Sequence, residues 1–341
     1  MTADLLAWFK KVPNNSTLNF KRAGCYRIDG ELVVSKRIGL TFNGNGATFD
    51  GKRNSNGKAR HWSVQNSSNI TLKNMTVRGA NPRAGARKDG YRRGYEWQHA
   101  YGVYGSNHVV LDSVQAYDLY GDFVEIMPMW VGRNPVTARN ITVQNSHFER
   151  SGRQGVAIVG GEDILIRDNY IGGVPLDILD IEPAFPTLPV KNVRFVHNTT
   201  GPVWLVWFAN HGRCNAGVSN ITVSDNVMEA RASNDYPAIW VKPPADCARR
   251  GPFTVERNTF LVRQPPAGLM LDRTHDVLLR GNKVRFEFAG PGDRTRVLVE
   301  LVKSTRVSVL SNSVRVDPRD KVVFITHDGE SDYVSSGNKR I

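Results

Sequence analysis

The stretch EDILIRDNYI, residues 162–171, contains a pattern that recurs through the last three quarters of the chain. A polar residue precedes an apolar anchor, a second apolar residue follows two positions later, and two polar residues then lead to Asn. The anchors of nine copies lie 23 to 39 residues apart. They are Ile70, Val109, Ile141, Ile164, Val193, Ile221, Phe253, Val277 and Val307. This irregular spacing argues against a helical repeat of fixed length and predicts a solenoid of short strands joined by loops of variable length.

Six copies carry Asn five residues after the anchor. They are Asn169, Asn198, Asn226, Asn258, Asn282 and Asn312. Stacked coils would place these side chains about 4.8 Å apart, which is the spacing of neighbouring strands. Their amides could then donate hydrogen bonds from coil to coil, as in other stacked Asn ladders. Because Asn tolerates the left-handed backbone of a sharp turn, we also expect these residues to adopt that conformation.

A second short apolar run precedes each pattern, as at residues 123–126, 155–158 and 178–181. Two or three short strands per coil, all running in the same direction, predict an all-β fold, a single-stranded parallel β-helix. Each coil of a solenoid contacts only its neighbours, so the core can extend along residues 1–341 as one domain. We expect residues 1–12 to form a short amphipathic α-helix that caps the open end of this core.

These features resemble the right-handed parallel β-helix proteins of the pectate-lyase-like superfamily over nearly the whole chain. The opening is similar too, with GCYRI at residues 24–28 and LTFNGNGATF at residues 40–49. The segment DIEP, residues 180–183, also resembles a motif common in β-helix proteins assigned to polysaccharide processing. The signatures of polygalacturonases, pectate lyases and alginate epimerases are missing. The resemblance therefore implies the fold and a polysaccharide substrate but no catalytic residue.

The net charge of +13 suits a polyanionic partner. Nothing in the sequence resembles a nucleic-acid-binding module, so we expect a polysaccharide, and the positive charge suits an acidic one. No apolar run is long enough to span a membrane. The first residues lack the pattern of a signal peptide. We expect a secreted protein whose signal has been removed or, alternatively, a component of a virion, and either a monomer or a trimer.

The longest connection between patterns, residues 78–99, is basic and aromatic. Its cations are Arg78, Arg83, Arg87, Lys88, Arg92 and Arg93, interleaved with Tyr91, Tyr95 and Trp97. Long loops in compact folds are commonly functional. We interpret this insertion as a flap over a binding groove, and the alternative is a solvated loop.

Three cysteines are present. Cys214 and Cys247 precede the anchors of consecutive coils by seven and six residues. Stacking could bring them within disulfide range, which would indicate an oxidising compartment. The alternative is two unrelated buried thiols. We expect Cys25 to be a core residue.

Two segments carry most of the candidate chemistry, DFVEIMP at residues 122–128 and DILDIEP at residues 177–183. Both read Asp-x-x-acid-Ile-x-Pro and lie two coils apart, with RQGVAI at residues 153–158 between them. In this register Glu125, Ala157 and Asp180 face outward in one column, and Glu182 lies in the next column.

The candidate catalytic residues are Asp180, Glu182 and Glu125, together with Asp122 and Asp177 at the starts of the two segments. Later coils add Trp207 and Trp240 to the first column and Lys242 to the second. The candidate substrate-binding residues are Arg153, Gln154, Trp204, Trp207, Trp240, His211, Lys242, Tyr104 and Trp97. His211 could act as a general base, and His99 ends the insertion, although an isolated loop histidine is more often incidental.

Carboxylates beside exposed Trp suggest carbohydrate chemistry, because glycosidic cleavage needs one protonated and one ionised carboxyl group. We predict a hydrolase that inverts configuration, with Asp180 or Glu125 as the acid and Glu182 assisting water. The alternatives are a lyase or epimerase on an acidic glycan, and a non-catalytic glycan-binding or phage tail protein. No cofactor is expected, except that Asp180 and Glu182 could hold Ca²⁺.

Overall fold

The computed structural model describes residues 1–51, 59–185, 187–213, 217–228, 236–262, 267–287 and 294–341. One α-helix, Thr2–Lys11, precedes a long succession of short strands. Outside one hairpin, Met129–Val131 with Asn134–Val136, the strand pairs of the described residues are parallel. No helix among the described residues is long and apolar enough to cross a membrane. The predicted all-β parallel β-helix with a short N-terminal helix is therefore confirmed.

The described strands form two large parallel sheets. One sheet has eleven strands and carries the site discussed below. Its strands are Leu32–Ser35, Trp62–Gln65, Tyr101–Tyr104, Val124–Met127, Val156–Ile158, Asp177–Ile181, Val206–Asn210, Ile239–Val241, Ala267–Asp272, Thr295–Val302 and Lys321–His327. We call it the site sheet.

The other sheet has 22 strands among the described residues, because most coils contribute two strands that meet at a bend. Its strands are Thr17–Asn19, Cys25–Ile28, Thr41–Gly51, Ser68–Arg78, Asn107–Asp112, Gln115–Tyr117, Arg139–Gln144, His147–Glu149, Gly161–Arg167, Tyr170–Gly172, Val190–Val196, Thr199–Thr200, Val218–Ser224, Val227–Met228, Phe253–Glu256, Thr259–Val262, His275–Arg280, Lys283–Phe286, Thr305–Leu310, Ser313–Arg315, Tyr333–Ser336 and Lys339–Arg340.

The core is one cluster of buried apolar side chains that extends from Leu5 to Val316. All nine anchors of the repeat belong to it, as the period of two predicts. The helix covers the N-terminal end, where the Phe9 ring lies 5.0 Å from Phe42 and 5.5 Å from Trp62. These contacts show that the predicted cap is present, and the rings exclude water from the first coil.

The predicted Asn ladder is confirmed, but its backbone conformation differs from the expectation. Each Asn amide donates to the Oδ1 of the next, at 2.9 to 3.1 Å, and Asn338 extends the series. The left-handed residue is the one before each Asn, such as Asp168 and Asp225. The turn strain therefore falls on the preceding residue, and the Asn side chain ties the turn to the next coil.

The strand register of the site sheet agrees with the alignment of the two acidic segments. Glu125 pairs with Ala157, and Ala157 pairs with Asp180. The column continues through Ala209 to Trp240. The core-facing residues of these strands are fully buried.

The expected outward position of Trp207 is wrong. Trp207 is 1% exposed and packs against Phe195 and Phe260 in the core. It precedes Phe208, just as Ile178 precedes Leu179, and all four are buried. At this corner the chain turns into the strand, so two successive side chains face the core and the simple alternation fails.

Two expectations about cysteine have different outcomes. Cys25 is exposed and free, so its expected place in the core is wrong. Cys247 is disulfide-bonded. Cys214 lies outside the described residues, so the Cys214–Cys247 pairing stays a prediction.

Candidate active site

The acid-bearing column of the site sheet faces away from the core, yet Glu125 and Asp180 are only 2% and 1% exposed. Neighbouring polar side chains cover both carboxylates, so their outward position does not expose them to solvent. A cleft of about 290 Å³ opens beside them. It is lined by Glu96, Trp97, Glu125, Met127, Arg153, Val159, Glu182, Ala184 and Phe185. This volume lies at the lower end of the range for ligand pockets.

The insertion, residues 78–99, borders this cleft and is attached to the body of the β-helix. Trp204 donates its indole N–H to the carbonyl oxygen of Gly85 at 2.7 Å, and the Gly85 N–H donates to Ser151 at 2.6 Å. Glu96 and Trp97 contribute the insertion's side of the cleft. Most of the insertion's cations, including Arg87 and Lys88, are exposed instead.

Glu125 is the ionised carboxylate of the cleft. The Tyr104 hydroxyl donates to Glu125 at 2.6 Å, and the nearest atoms of Arg60 and His99 both lie 3.4 Å from the same oxygen. Burial by itself raises the pKa of Glu125, but His99, Arg60 and the Tyr104 hydrogen bond outweigh it. Together they hold the pKa of Glu125 at about 2.

Asp122 organises the centre of the site. It is fully buried, accepts the backbone N–H of Gln154 at 2.9 Å and pairs with Arg153 at 2.9 Å. Its own backbone N–H donates to Nδ1 of His99 at 2.9 Å, which leaves the proton of a neutral His99 on Nε2, towards Glu125. Burial raises the pKa of Asp122 although Arg153 and His99 oppose the rise.

Arg153 connects the two acidic coils. One of its terminal nitrogens lies 2.9 Å from Asp122 and the other lies 3.4 Å from Glu182. Its side chain is 20% exposed and lines the cleft. Arg153 therefore fixes the position of Glu182 relative to the rigid sheet.

The second acidic segment contributes three carboxyl groups with raised pKa values. Burial raises the pKa of Asp177 to about 7 and that of Asp180 well above its usual range, and repulsion from Glu182 adds to both effects. Burial also raises the pKa of Glu182, although Arg153 opposes the rise. The Glu182 side chain is 43% exposed, so it is the one of the three that faces the cleft.

The remaining candidates lie further along the same sheet or away from the cleft. Trp240 follows Ala209 in the outward column, with Lys242 Nζ 5.4 Å and the His211 ring 6.0 Å from it. His211 Nε2 lies 3.9 Å from Asp180. Trp204 anchors the insertion, and Trp207 belongs to the core.

The structure thus brings Glu125, Tyr104, Asp122, Arg153 and Glu182 into direct or shared contact. Gln154 joins them by donating its amide N–H to Asp180. Arg60 is the contributor that sequence reasoning missed, because it precedes a strand and meets Glu125 across 65 residues of sequence. Arg60 does not occupy a position of the repeat, so the sequence pattern does not mark it.

No protein-family model matches the chain, and no curated protein matches it by sequence. Solved structures match it by shape. PfbA, a surface adhesin of Streptococcus pneumoniae, aligns with a TM-score of 0.64 at 13% identity and covers 96% of this chain and 90% of its own.

Two further matches are enzymes by their printed names. The periplasmic alginate epimerase AlgG aligns with a TM-score of 0.66 at 11% identity over 100% of this chain and 88% of its own. DFA-IIIase from Arthrobacter chlorophenolicus A6 aligns with a TM-score of 0.64 at 14% identity over 96% and 86%. At these identities the similarity establishes the fold alone. The chain has the right-handed parallel β-helix fold of the pectate-lyase-like proteins.

Proposed function

We propose that this protein is a glycoside hydrolase that cleaves a polysaccharide in the cleft between Glu125 and Glu182. One observation carries the proposal: two carboxyl groups line the same cleft and their surroundings shift their pKa values in opposite directions. Glu125 is held ionised, whereas Glu182 keeps its proton to a higher pH than usual. A protonated and an ionised carboxyl group across one glycosidic bond are what hydrolysis needs.

In the proposed reaction Glu182 donates its proton to the glycosidic oxygen as the bond from that oxygen to the anomeric carbon breaks. Glu125 accepts a proton from a water molecule, whose oxygen bonds to the anomeric carbon from the opposite face. The products are a free hydroxyl on the leaving sugar and a new reducing end. Glu182 is then ionised and Glu125 protonated, and exchange with solvent restores both groups.

The separation of the acids favours inversion. The coils of Glu125 and Glu182 are two strand spacings apart, about 9.6 Å, and Glu182 lies two residues further along its strand than Asp180, which is in register with Glu125. This is greater than the roughly 5–5.5 Å of retaining enzymes and near the roughly 6.5–9.5 Å of inverting ones. The additional distance leaves room for the attacking water.

This assignment gives Glu125 the opposite role from the sequence-based interpretation. A carboxyl group whose pKa is about 2 is ionised at ordinary pH and is a poor proton donor. Asp180, the other expected acid, is 1% exposed, whereas Glu182 is open to the cleft. We therefore assign the acid to Glu182 and the base to Glu125.

The substrate would contact both the insertion and the sheet. Trp97 is 40% exposed at the cleft and offers a ring face for a sugar. Trp240 and Lys242 would contact sugar units further along the same face. The disulfide-bonded state of Cys247 supports an extracellular location.

Product chemistry tests the proposal. A panel of neutral and acidic glycans is incubated with the protein, and new reducing ends and unsaturated uronate absorbance are followed in parallel. The proposal predicts reducing ends without absorbance. Absorbance would assign the site to a lyase, and binding without turnover of any glycan would assign it to a glycan-binding protein.

A further inference from the structure

A second cluster of polar side chains lies next to Glu182 and includes none of the residues that line the cleft. Among the described residues, one ligand atom each from Asp177, Asp180 and His211 lies within 4.8 Å of the other two. The two aspartates belong to one strand of the site sheet, and His211 directly follows the next strand, Val206–Asn210. Both aspartates are at least 97% buried.

Three buried oxygens at this cluster have no hydrogen-bond partner among the residues that the structure describes. They are Oδ1 of Asp177, Oδ1 of Asp180 and Oε1 of Gln154. Gln154 is 4% exposed, and its amide N–H donates to Oδ2 of Asp180. Its unpaired amide oxygen is therefore a second observation beside the two aspartates. Nearly all buried polar groups are paired, and each unpaired one costs about 1–3 kcal/mol. A cation bound here would pair with the unpaired oxygens of both aspartates.

The donor set selects the kind of partner. Two carboxylates and an imidazole match the three protein ligands of an open zinc site, with further positions left for the Gln154 oxygen or water. Imidazole suits zinc and neighbouring transition metals, whereas Ca²⁺ takes oxygen ligands. The set also differs from the expected Ca²⁺ pair, because His211 takes the place of Glu182.

The position of His211 is fixed before any ion binds. Arg250, which is 2% exposed, donates to the side-chain oxygen of Asn210 at 2.9 Å, to the carbonyl oxygen of His211, and to that of Arg213 at 3.1 Å. These bonds attach the His211 turn to the body of the β-helix. The His211 side chain is 36% exposed, which gives an ion a path from solvent.

We propose that Asp177, Asp180 and His211 bind a divalent transition metal ion of the Zn²⁺ class, with Gln154 beside it. This site goes beyond the hydrolase proposal and does not depend on it, because Glu125 and Glu182 are not among its ligands. A bound ion would neutralise the two buried aspartates and satisfy their free oxygens.

Calorimetric titration of metal-stripped protein with Zn²⁺ tests the site without any glycan. We expect one saturable Zn²⁺ per chain in the wild type and binding weakened at least about 100-fold in His211→Ala, since loss of even an outer-shell partner costs about 10–100-fold. Zn²⁺ should also raise the melting temperature of the wild type, but not that of the variant.

His275→Ala is the matched control. His275 also contacts an aspartate, Asp276 at 2.8 Å, but this pair lies at the surface and outside the cluster. The control should bind Zn²⁺ as the wild type does. Absence of saturable binding in the wild type, equal affinity in His211→Ala, or tighter binding of Ca²⁺ than of Zn²⁺ would each overturn the assignment. Circular dichroism of His211→Ala confirms that a loss of binding is not a loss of fold.

Discussion

At the scale of single residues, Glu125 shows that burial alone does not set the charge of a carboxyl group. Glu125 is more deeply buried than Glu182, yet it is the one that stays ionised. Tyr104, Arg60 and His99 all direct donors or positive charge at it. Glu182 shares its surroundings with other acids, and Arg153, which pairs with it, is also paired with Asp122.

Tyr104→Phe is expected to raise the pKa of Glu125, because it removes the closest donor to the ionised form. The folded-state pKa of Glu125 lies below its ordinary value, so its stabilisation is present above that ordinary value and is lost as pH falls towards 2. Near neutral pH we expect a loss of about 1.5–3 kcal/mol of unfolding free energy. Carbon-13 NMR of the carboxyl groups and denaturant titrations measure the two effects.

Tyr117→Phe is the control for this change. The Tyr117 hydroxyl also donates to a side chain, at 3.2 Å to Gln115, but that hydrogen bond is exposed. We expect no change in the Glu125 titration and a change in stability within about 0.5 kcal/mol. A Glu125 titration that is the same in Tyr104→Phe and the wild type would contradict the role given to Tyr104.

The pH dependence of hydrolysis follows from the same two groups. Glu182 must be protonated, and burial raises its pKa, so activity should persist above the ordinary glutamate range and fall as pH rises through the Glu182 pKa. Glu125 remains ionised down to about pH 2, so the acidic limb should lie close to that value or to acid unfolding. A profile of initial rates against pH checks this. A rate that increases steadily with pH would contradict Glu182 as the acid.

At the scale of elements, the Asn ladder connects the coils. Asn226 donates to Phe195 and Ser224 as well as to Asn258, and it accepts the backbone N–H of Asn198 at 2.8 Å. A single side chain thus satisfies buried polar groups on three coils. The ladder stabilises the bend that separates the two strands of each coil in the larger sheet.

Asn226→Ala is expected to lower the free energy of unfolding by about 2–4 kcal/mol. The change leaves at least two buried polar groups unpaired, at about 1–3 kcal/mol each. Equilibrium denaturation measures the cost. Asn107→Ala is the control, since the Asn107 side chain accepts one exposed hydrogen bond, from Asn140. The control should stay within about 0.5 kcal/mol of the wild type. Equal losses of unfolding free energy in the two variants would show that the buried ladder stabilises the fold no more than an exposed hydrogen bond does.

Hydrogen bonds at both ends of the insertion, from Asn81 and to His99, hold it to the β-helix, and the Trp204 hydrogen bond to Gly85 lies between them. Trp204→Phe removes the hydrogen bond to Gly85 and should loosen the middle of the insertion, which speeds cleavage by trypsin after exposed cations such as Arg87 and Lys88. Global stability should fall by only about 0.5–1.5 kcal/mol. Peptide mapping during limited proteolysis measures the effect. Cleavage no faster than in the wild type would mean that other contacts hold the insertion.

At the scale of the whole molecule, the features that depend on the period of the repeat can be predicted from the sequence. The spacing of apolar anchors predicts the coils, and the shared Asp-x-x-acid-Ile-x-Pro segments predict that Glu125, Ala157 and Asp180 occupy one column. Because the coils stack on one another, residues at equivalent positions of the repeat become neighbours in three dimensions.

The positions of side chains at bends and in loops could not be predicted from the sequence. Trp207 is in the core because a bend places two successive side chains inside, which a strict period of two does not describe. Arg60 and His99 reach Glu125 from segments outside the strands, so no repeat position marks them. The covering of Glu125 and Asp180 likewise depends on side chains from neighbouring coils and loops.

The most direct test compares wild-type hydrolysis of a cleaved glycan with that of Glu182→Gln, Glu125→Gln and Glu300→Gln. Glu300 lies in the same outward column as Trp240, two coils beyond it, and is therefore a matched control outside the cleft. We predict that each of the first two changes lowers kcat by roughly 10²–10⁴-fold and that Glu300→Gln leaves it unchanged. Near-normal turnover in folded Glu182→Gln or Glu125→Gln would contradict the proposed pair of catalytic carboxyl groups.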